Sequence, residues 1–241
     1  MKIVVPSIDI LNGKAVRLTQ GRQGSERVFG EPVSLAARYD SAGFGVVHVV
    51  DLDAAFGGEN QFGVLMAMRR ACKRMRIQWA GGIRSRRSAA EAFGHGCDEV
   101  VFGTSIFKAR EEVIAAVKEF GKERVWGSLD FSGKPPMAMI RGWKDGSGVG
   151  APDAVSAAWG CGVGGVIIGS VDADGMASGP ALGLLFQGAI GTGKPVWIAG
   201  GIRGAEDARN AFGLGASGVI FGSALYKADT DLRDLLCLQE E

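Results

Sequence analysis

Residues that commonly hold metals or act as nucleophile partners are scarce in this chain of 241 residues, which has 4 cysteines and 2 histidines. The cysteines are widely spaced and form no Cys-x-x-Cys pair: Cys72, Cys97, Cys161 and Cys237. Such spacing argues against a metal site and is typical of reduced, buried thiols in a cytoplasmic protein. With only His48 and His95 present, no motif for Ser-His-Asp chemistry is found either. We therefore expect no metal.

A strong charge of one sign and long apolar runs are also missing. Lys and Arg number 27 against 26 Asp and Glu, so the chain has no overall field that would attract nucleic acid. The longest apolar runs are strand-sized, well below the ~20 residues of a membrane-spanning helix. The first residues lack the apolar core of a secretory signal. We expect a cytoplasmic protein that binds neither nucleic acid nor membranes.

Glycine is abundant instead, with 39 residues, roughly twice the usual share of ~7%. A hydrophobic content of 46% and only 7 prolines exclude low-complexity and collagen-like chains. Short apolar runs predict strands at 3–8, 46–52, 77–80, 99–102, 125–129, 165–169, 196–199 and 218–221. Amphipathic segments between them predict helices at 32–42, 62–74, 88–94, 110–120, 152–159, 183–190 and 205–212. Eight such βα units predict an α/β fold, a TIM barrel, with a doubly wound open sheet as the alternative.

An internal repeat favours the barrel. Residues 80–109 and 199–228 align without gaps at an offset of 119 residues, and 15 of the 30 positions are identical. The offset is close to half the chain, so about four βα units occur twice. This pattern predicts a single (β/α)8 domain over residues 1–241, built from two half-barrel repeats.

Each repeat has two predicted strand ends that carry glycine. These are Gly81-Gly82 and Gly103-Thr104 in the first repeat, and Gly200-Gly201 and Gly222-Ser223 in the second. Glycine lets backbone N–H groups approach an oxyanion, and the two hydroxyls could add donors. One such turn alone would be explained by chain reversal. Duplication at matching positions favours two phosphate sites on opposite sides of the barrel mouth, and therefore a small bisphosphate substrate.

Carboxylates follow several of the predicted strands. Asp9 ends the first strand, Asp130 ends the fifth, and Asp174 lies in the loop after the sixth. Charged residues at these ends of barrel strands are typical of catalytic sites. Two carboxylates facing each other can act as general base and general acid if their pKa values differ. For Asp51 and Asp53, which end the second strand, helix capping is an equally good interpretation.

Several segments resemble one known family in order and spacing. They are 5–9 (VPSID), 16–21 (VRLTQG), 48–56 (HVVDLDAAF), 81–84 (GGIR), 141–143 (RGW) and 174–180, which holds Asp-Gly and then Ser-Gly-Pro. The resemblance is to the phosphoribosylformimino-5-aminoimidazole carboxamide ribotide (ProFAR) isomerases of histidine biosynthesis, and it extends from residue 1 to about 226. The sister cyclase family, which shares the barrel and both phosphate turns, is less similar at the start of the chain.

The resemblance implies an aldose–ketose isomerase that performs an Amadori rearrangement on a substrate with two phosphates and needs no cofactor. It also implies a protein that is often monomeric. By matching positions, Asp9 would be the base and Asp174 the acid, with Asp130 a second candidate for proton donation. The family's substrate contacts would fall on Arg17, His48, Arg141 and Trp143.

One position departs from the family. Gly169 stands where members carry a threonine, and Ser170, one place later, should point to the other face of the strand. Two alternatives to a single-substrate isomerase stay open. Phe56 and Arg141 resemble the bifunctional isomerases that also act on phosphoribosyl anthranilate in tryptophan biosynthesis. A catalytically impaired paralogue that only binds phosphosugars is the other.

Overall fold

The computed structural model of the chain describes residues 2–19, 21–173, 192–226 and 231–240. Within them the strands are β1 (Ile3–Leu11), β2 (Lys14–Arg17), β3 (Arg27–Gly30), β4 (Val46–Asp51), β5 (Arg76–Ala80), β6 (Glu99–Phe102), β7 (Val125–Ser132), β8 (Met137–Ile140), β9 (Asp145–Gly150), β10 (Gly165–Ser170), β11 (Val196–Ala199) and β12 (Gly218–Phe221). The α-helices are α1 (Pro32–Ala42), α2 (Leu52–Ala55), α3 (Phe62–Ala71), α4 (Arg86–Gly94), α5 (Ser105–Lys108), α6 (Arg110–Phe120), α7 (Ala151–Gly160), α8 (Ala205–Gly213) and α9 (Leu232–Cys237). Two 3₁₀ turns cover Lys122–Arg124 and Ser223–Tyr226. The helix predicted at 183–190 lies outside the described residues.

Eight of the strands form a closed parallel barrel in the order β1, β4, β5, β6, β7, β10, β11, β12. Pairing of β12 with β1 closes the ring, and β7 pairs with β10 across the junction of the two halves. The predicted TIM barrel is therefore confirmed, and all eight predicted strands are present. The open-sheet alternative is wrong, because every barrel strand is paired on both sides.

The barrel interior is filled by one apolar side chain from each barrel strand: Val5, Val46, Ala80, Val101, Trp126, Ile167, Trp197 and Ile220. The rings of Trp126 and Trp197 lie 4.2 Å apart between centroids and occupy much of this space. Because side chains alternate along a strand, residues two and four places beyond these also point inward, toward the mouth. The interior packing thus determines which strand-end residues face the cavity.

Two hairpins absent from the sequence predictions extend the barrel at equivalent places in its two halves. The chain leaves β1 into the antiparallel pair β2 and β3, and it leaves β7 into the antiparallel pair β8 and β9. Each hairpin continues its barrel strand beyond the rim and then folds back. As a result, side chains from segments remote from the barrel strands reach the mouth.

The helix predicted at 62–74 is shorter than expected, since α3 ends at Ala71 and not at residue 74. The carboxylate of Asp40, at the end of α1, accepts the backbone N–H groups of Arg74 (3.2 Å) and Met75 (2.7 Å). These bonds, made by a residue more than 30 positions away, hold the chain in a turn before β5. Among all the described helices, none is long and apolar enough to cross a membrane.

Candidate active site

A cavity of about 470 Å³ opens at the carboxyl ends of the barrel strands, within the size range of small-molecule sites. Its lining includes fourteen of the fifteen residues predicted from sequence: Asp9, Arg17, His48, Gly81, Gly82, Gly103, Thr104, Asp130, Arg141, Trp143, Gly200, Gly201, Gly222 and Ser223. The fifteenth, Asp174, lies outside the described residues. The structure thus brings the predicted residues together, and their chemical roles stay predictions.

Asp9 and Arg17 form an ion pair on one side of the cavity. Arg17 Nη1 donates to Asp9 Oδ2 at 2.7 Å, and the two side chains are only 16% and 14% exposed. The first hairpin creates this contact, because Asp9 on β1 pairs with Val16, the residue before Arg17. A side chain at Gly222 would overlap the Arg17 guanidinium, so the glycine leaves room for it. A charge-assisted bond of this kind holds Asp9 as an oriented carboxylate.

Asp130 belongs to the other half of the barrel. The Trp143 indole N–H donates to its carboxylate, and Ser128 Oγ lies 3.4 Å from Asp130 Oδ2. Burial raises the pKa of Asp130 above its usual value, and the bonds from Trp143 and Ser128 oppose that rise only in part. Asp130 therefore keeps a proton to higher pH than an ordinary aspartate. One ion-paired carboxylate and one of raised pKa are a suitable base and acid for the same cavity.

Gly169 lies beside Asp130 on the neighbouring strand, and the two residues are register partners of β10 and β7. A Cβ atom at position 169 would overlap Asp130 Oδ1. The carboxyl group of Asp130 thus occupies the space that a side chain at 169 would need. Ser170 is buried and is not among the cavity-lining residues, in keeping with its expected orientation.

Replacing Gly169 with alanine is expected to lower activity about tenfold. The added methyl group forces the Asp130 carboxyl out of its place and away from the Trp143 indole, so a proton donor is misaligned. The matched control is Gly213→Ala at the end of α8, where an added Cβ meets nothing within 4 Å. Steady-state kinetics of both variants on the substrate proposed below make the comparison. Equal activities would contradict this account of Gly169.

The two double-glycine turns have the same backbone conformation in both repeats. The φ angles are 89° and 71° at Gly81 and Gly82, and 84° and 76° at Gly200 and Gly201. A Cβ at Gly81 would also overlap the Asp51 carbonyl oxygen, and one at Gly200 would crowd that of Ser170. Only glycine fits such left-handed, close-packed positions. The turns are therefore equivalent, as the sequence repeat predicts.

Thr104, which follows β6, makes a hydrogen bond to the second hairpin. Its hydroxyl oxygen accepts the backbone N–H of Arg141 at 2.9 Å, which leaves the hydroxyl proton available to a ligand oxygen. Arg141 pairs with Asp145 Oδ2 at 2.9 Å, and its side chain is 70% exposed. An exposed pair of this type is weak, so a phosphate could compete for the guanidinium.

The cavity also includes residues that were not predicted: Ser7, Phe56, Arg84, Ser128 and Lys144. Ser7 and Ser128 precede Asp9 and Asp130 by two places, so strand alternation could have identified them. Asp51, by contrast, caps α2, accepting N–H groups from Ala54 (3.0 Å) and Gln61 (2.7 Å). Asp53 accepts the N–H of Asn12 at 2.8 Å, so the capping and anchoring interpretation holds for both carboxylates.

A comparison with protein families matches residues 3–231 to the family described as histidine biosynthesis protein. The chain belongs to this family. Among individual relatives, a protein of Nocardioides is 38% identical over 240 residues, covering 98% of this chain and 96% of its own. A protein of Methanothermobacter thermautotrophicus is 33% identical over 239 residues, covering 99% of each chain. Both are named 1-(5-phosphoribosyl)-5-((5-phosphoribosylamino)methylideneamino) imidazole-4-carboxamide isomerase.

A third relative has a different name. A protein of Streptomyces griseus, called phosphoribosyl isomerase A, is 34% identical over 238 residues, covering 97% of this chain and 96% of its own. All three relatives align with at least 97% of this chain. The resemblance found in short motifs therefore extends over the full fold of the family.

Proposed function

We propose that the protein is an aldose–ketose isomerase that converts ProFAR, a bisphosphorylated aminoaldose, to its aminoketose in histidine biosynthesis. The observation that carries this proposal is the placement of Asp9 and Asp130 in one cavity flanked by two equivalent glycine turns. Two carboxylates supply a base and an acid, and the duplicated turns suit a substrate with a phosphate at each end. The family's isomerase relatives support the same assignment.

The proposed reaction begins with protonation of the ribose ring oxygen as the C1–O bond breaks, which leaves a cationic imine at C1. Asp130 is suited to supply this proton because its pKa is raised. Asp174 is the other candidate, and it lies outside the described residues. The acid ends the step as a carboxylate, and the ring oxygen as a hydroxyl group.

Asp9 then acts as the base in the second step. It removes the proton from C2, and the electrons of the C2–H bond form a C1=C2 double bond while the imine nitrogen becomes neutral. Loss of the proton from the C2 hydroxyl and addition of a proton at C1 give the ketone. The ion pair with Arg17 holds the Asp9 carboxylate in place for this transfer. No oxidant or reductant enters, because the rearrangement is internally balanced.

The proposal includes a monomeric, cytoplasmic enzyme whose partner is this small bisphosphate, with no role for nucleic acid, membranes, a metal or an organic cofactor. The nearly balanced charge of the chain supports the absence of a polyanionic partner. All four cysteines are free thiols, as is typical of a reducing compartment.

A bifunctional isomerase that also acts on phosphoribosyl anthranilate is the second candidate. The observation in its favour is Phe56, which lines the cavity next to Gly142 and the Trp143 segment. An aromatic ring at this place could stack on the anthranilate ring. The catalytically impaired paralogue would share the cavity and the glycine turns but would bind bisphosphates without turnover.

An assay of the purified protein with both aminoaldoses separates these candidates. The proposal predicts conversion of ProFAR to its aminoketose and no conversion of phosphoribosyl anthranilate. Turnover of both substrates would favour the bifunctional enzyme. Tight binding of ProFAR without product would favour the impaired paralogue and contradict the proposal.

Substrate affinity should depend on the two hydroxyls beside the glycine turns. Thr104→Val is expected to raise KM for ProFAR about tenfold with kcat changed less than about threefold, since a phosphate contact is made equally in ground and transition states. Ser223→Ala should do the same at the opposite turn. The control is Thr192→Val, whose hydroxyl accepts the Lys194 N–H outside the cavity-lining set. An unchanged KM in both cavity variants would contradict the assignment of the phosphate turns.

A further inference from the structure

A chain of polar side chains crosses the barrel interior from the cavity toward the opposite end. His48 Nδ1 lies 2.7 Å from Gln78 Oε1, Gln78 Nε2 donates to Glu99 Oε2 at 2.8 Å, and Arg76 donates to Glu99 Oε1. His48, Gln78 and Glu99 are 8%, 0% and 2% exposed, whereas the Arg76 side chain is half exposed at the start of β5. The reaction proposed above uses none of Gln78, Glu99 and Arg76.

Strand register brings these groups together. His48 on β4 is the partner of Gln78 on β5, and Gln78 is the partner of Glu99 on β6. Gln78 and Glu99 precede the inward-facing Ala80 and Val101 by two places, so both point into the barrel. The three side chains therefore lie side by side on the inner face of the sheet, and the position of each is set by strand register.

Only one orientation of the hydrogen bonds satisfies every donor and acceptor in this row of side chains. Burial raises the pKa of Glu99, and the ion pair with Arg76 and the hydrogen bond from Gln78 oppose that rise. One oxygen of Glu99 accepts from Arg76 and the other from Gln78 Nε2, so the Gln78 amide turns its NH₂ group toward Glu99. The amide oxygen of Gln78 then faces His48 and can only accept. The proton on the His48 ring must consequently lie on Nδ1.

The second ring nitrogen of His48 is the one available to the cavity that this residue lines. Asp9 and Arg17 are the charged groups that act electrostatically on the ring, and Gln78 contacts it from β5. Burial lowers the pKa of His48, Arg17 lowers it further, and Gln78 and Asp9 oppose this only in part. The ring is therefore neutral at neutral pH, and its Nε2 carries a lone pair and no proton.

We propose that Gln78 and Glu99 are positioning residues that hold His48 as the Nδ1–H tautomer, so that Nε2 accepts a hydrogen bond from a hydroxyl group of the bound sugar phosphate. The identity of that ligand rests on the proposed function, whereas the tautomer does not. An Nε2 without a proton cannot donate one to the substrate. Proton transfer is thereby left to the carboxylates, and His48 contributes to binding.

Nitrogen NMR of the unliganded wild-type protein tests the tautomer directly. The chain has 2 histidines, and His95 serves as the reference because its Nδ1 lies 2.7 Å from the Glu91 carbonyl oxygen, a pure acceptor. At neutral and mildly alkaline pH, we expect His48 to show a protonated Nδ1 and an unprotonated Nε2. A His48 ring protonated at Nε2, or at both nitrogens, would overturn the proposal.

Glu99→Gln should invert the tautomer without touching His48. Arg76 still requires an acceptor, so the new amide turns its oxygen to Arg76 and its NH₂ group to Gln78. Gln78 must then rotate and offer its own NH₂ group to Nδ1, which moves the ring proton of His48 to Nε2. We expect this reversal in the spectrum, together with a KM for ProFAR raised about tenfold and kcat changed less than about threefold.

The matched control is Glu119→Gln, which makes the same change in a surface pair with Arg86 and should leave the His48 spectrum and KM unaltered. If Glu99→Gln does not fold, Gln78→Met removes both bonds at similar volume and should leave His48 a mixture of tautomers. An unchanged His48 spectrum in a folded interior variant would refute the proposal. Absence of ProFAR turnover by the wild type would refute the proposed function instead, because the NMR result does not depend on activity.

Discussion

Asp9→Asn is expected to lower kcat for ProFAR by about 10³-fold while leaving the affinity for the bisphosphate within about threefold. Asparagine has the size of aspartate, and its amide oxygen can still accept the Arg17 guanidinium, so the cavity keeps its shape. The amide cannot take up the C2 proton, which removes the base from the second step. Steady-state kinetics and calorimetric titration with ProFAR measure the two effects separately.

Asp53→Asn is the control for this variant. Asp53 also follows a barrel strand, but its carboxylate accepts the Asn12 N–H and is not among the cavity-lining groups. Its replacement should change kcat by less than about threefold. If Asp9→Asn kept more than about a tenth of the wild-type kcat, Asp9 would not be the base. A parallel fall in affinity would show instead that the residue mainly shapes the cavity.

The second large effect is expected for Asp130→Asn, which should lower kcat about 10²-fold and raise the melting temperature at neutral pH. The pKa of Asp130 is raised in the folded protein, so the folded state holds this proton more tightly than the unfolded state. Stability consequently falls as pH rises from the usual aspartate pKa through the raised value. At neutral pH the unfolded state has released this proton, whereas burial disfavours the charged form in the folded state, and a neutral amide removes that penalty.

Thermal unfolding at several pH values checks the sign of this linkage. The gain in melting temperature should be largest at neutral pH and should shrink as the wild-type carboxyl becomes protonated in acid. A variant that loses activity and gains stability is typical of a functional residue whose native side chain destabilises the folded protein. A decrease in kcat of less than about threefold would exclude Asp130 as the proton donor and leave that role to Asp174. A lower melting temperature at neutral pH would contradict the account of its surroundings.

Much of the barrel could be predicted from sequence because its signals are local. Each barrel strand is an apolar run bounded by glycine or polar residues, and the duplicated segment favoured a barrel over an open sheet. The hairpins were not predicted because β2 and β8 are only 4 residues long and partly exposed to solvent, so neither forms an apolar run of the length used to identify strands. Their formation depends on how far β1 and β7 extend beyond the barrel, which no short window of sequence contains.

The candidate site shows the same division. Asp9 and Asp130 could be identified because each is a carboxylate near the carboxyl end of a barrel strand, where this fold builds its active sites. The environment of each carboxylate could not be predicted from sequence. The hydrogen bond from Trp143 to Asp130, for example, joins segments that meet only through the second hairpin. Gln78 and Glu99 lie within predicted strands, yet their bond depends on the register between β5 and β6. Single polar residues in apolar runs give no sign of the partner they face.

The most direct test of the account is a crystal structure of Asp9→Asn with ProFAR bound. The account predicts one substrate molecule across the mouth. One phosphate should lie at the pair of turns that contain Gly82 and Thr104, and the other at the pair that contain Gly201 and Ser223. The C2 atom of the aminoaldose should face the side chain at position 9, with its ring oxygen toward Asp130 or Asp174. Both phosphates at one turn, or a sugar bound away from position 9, would contradict it.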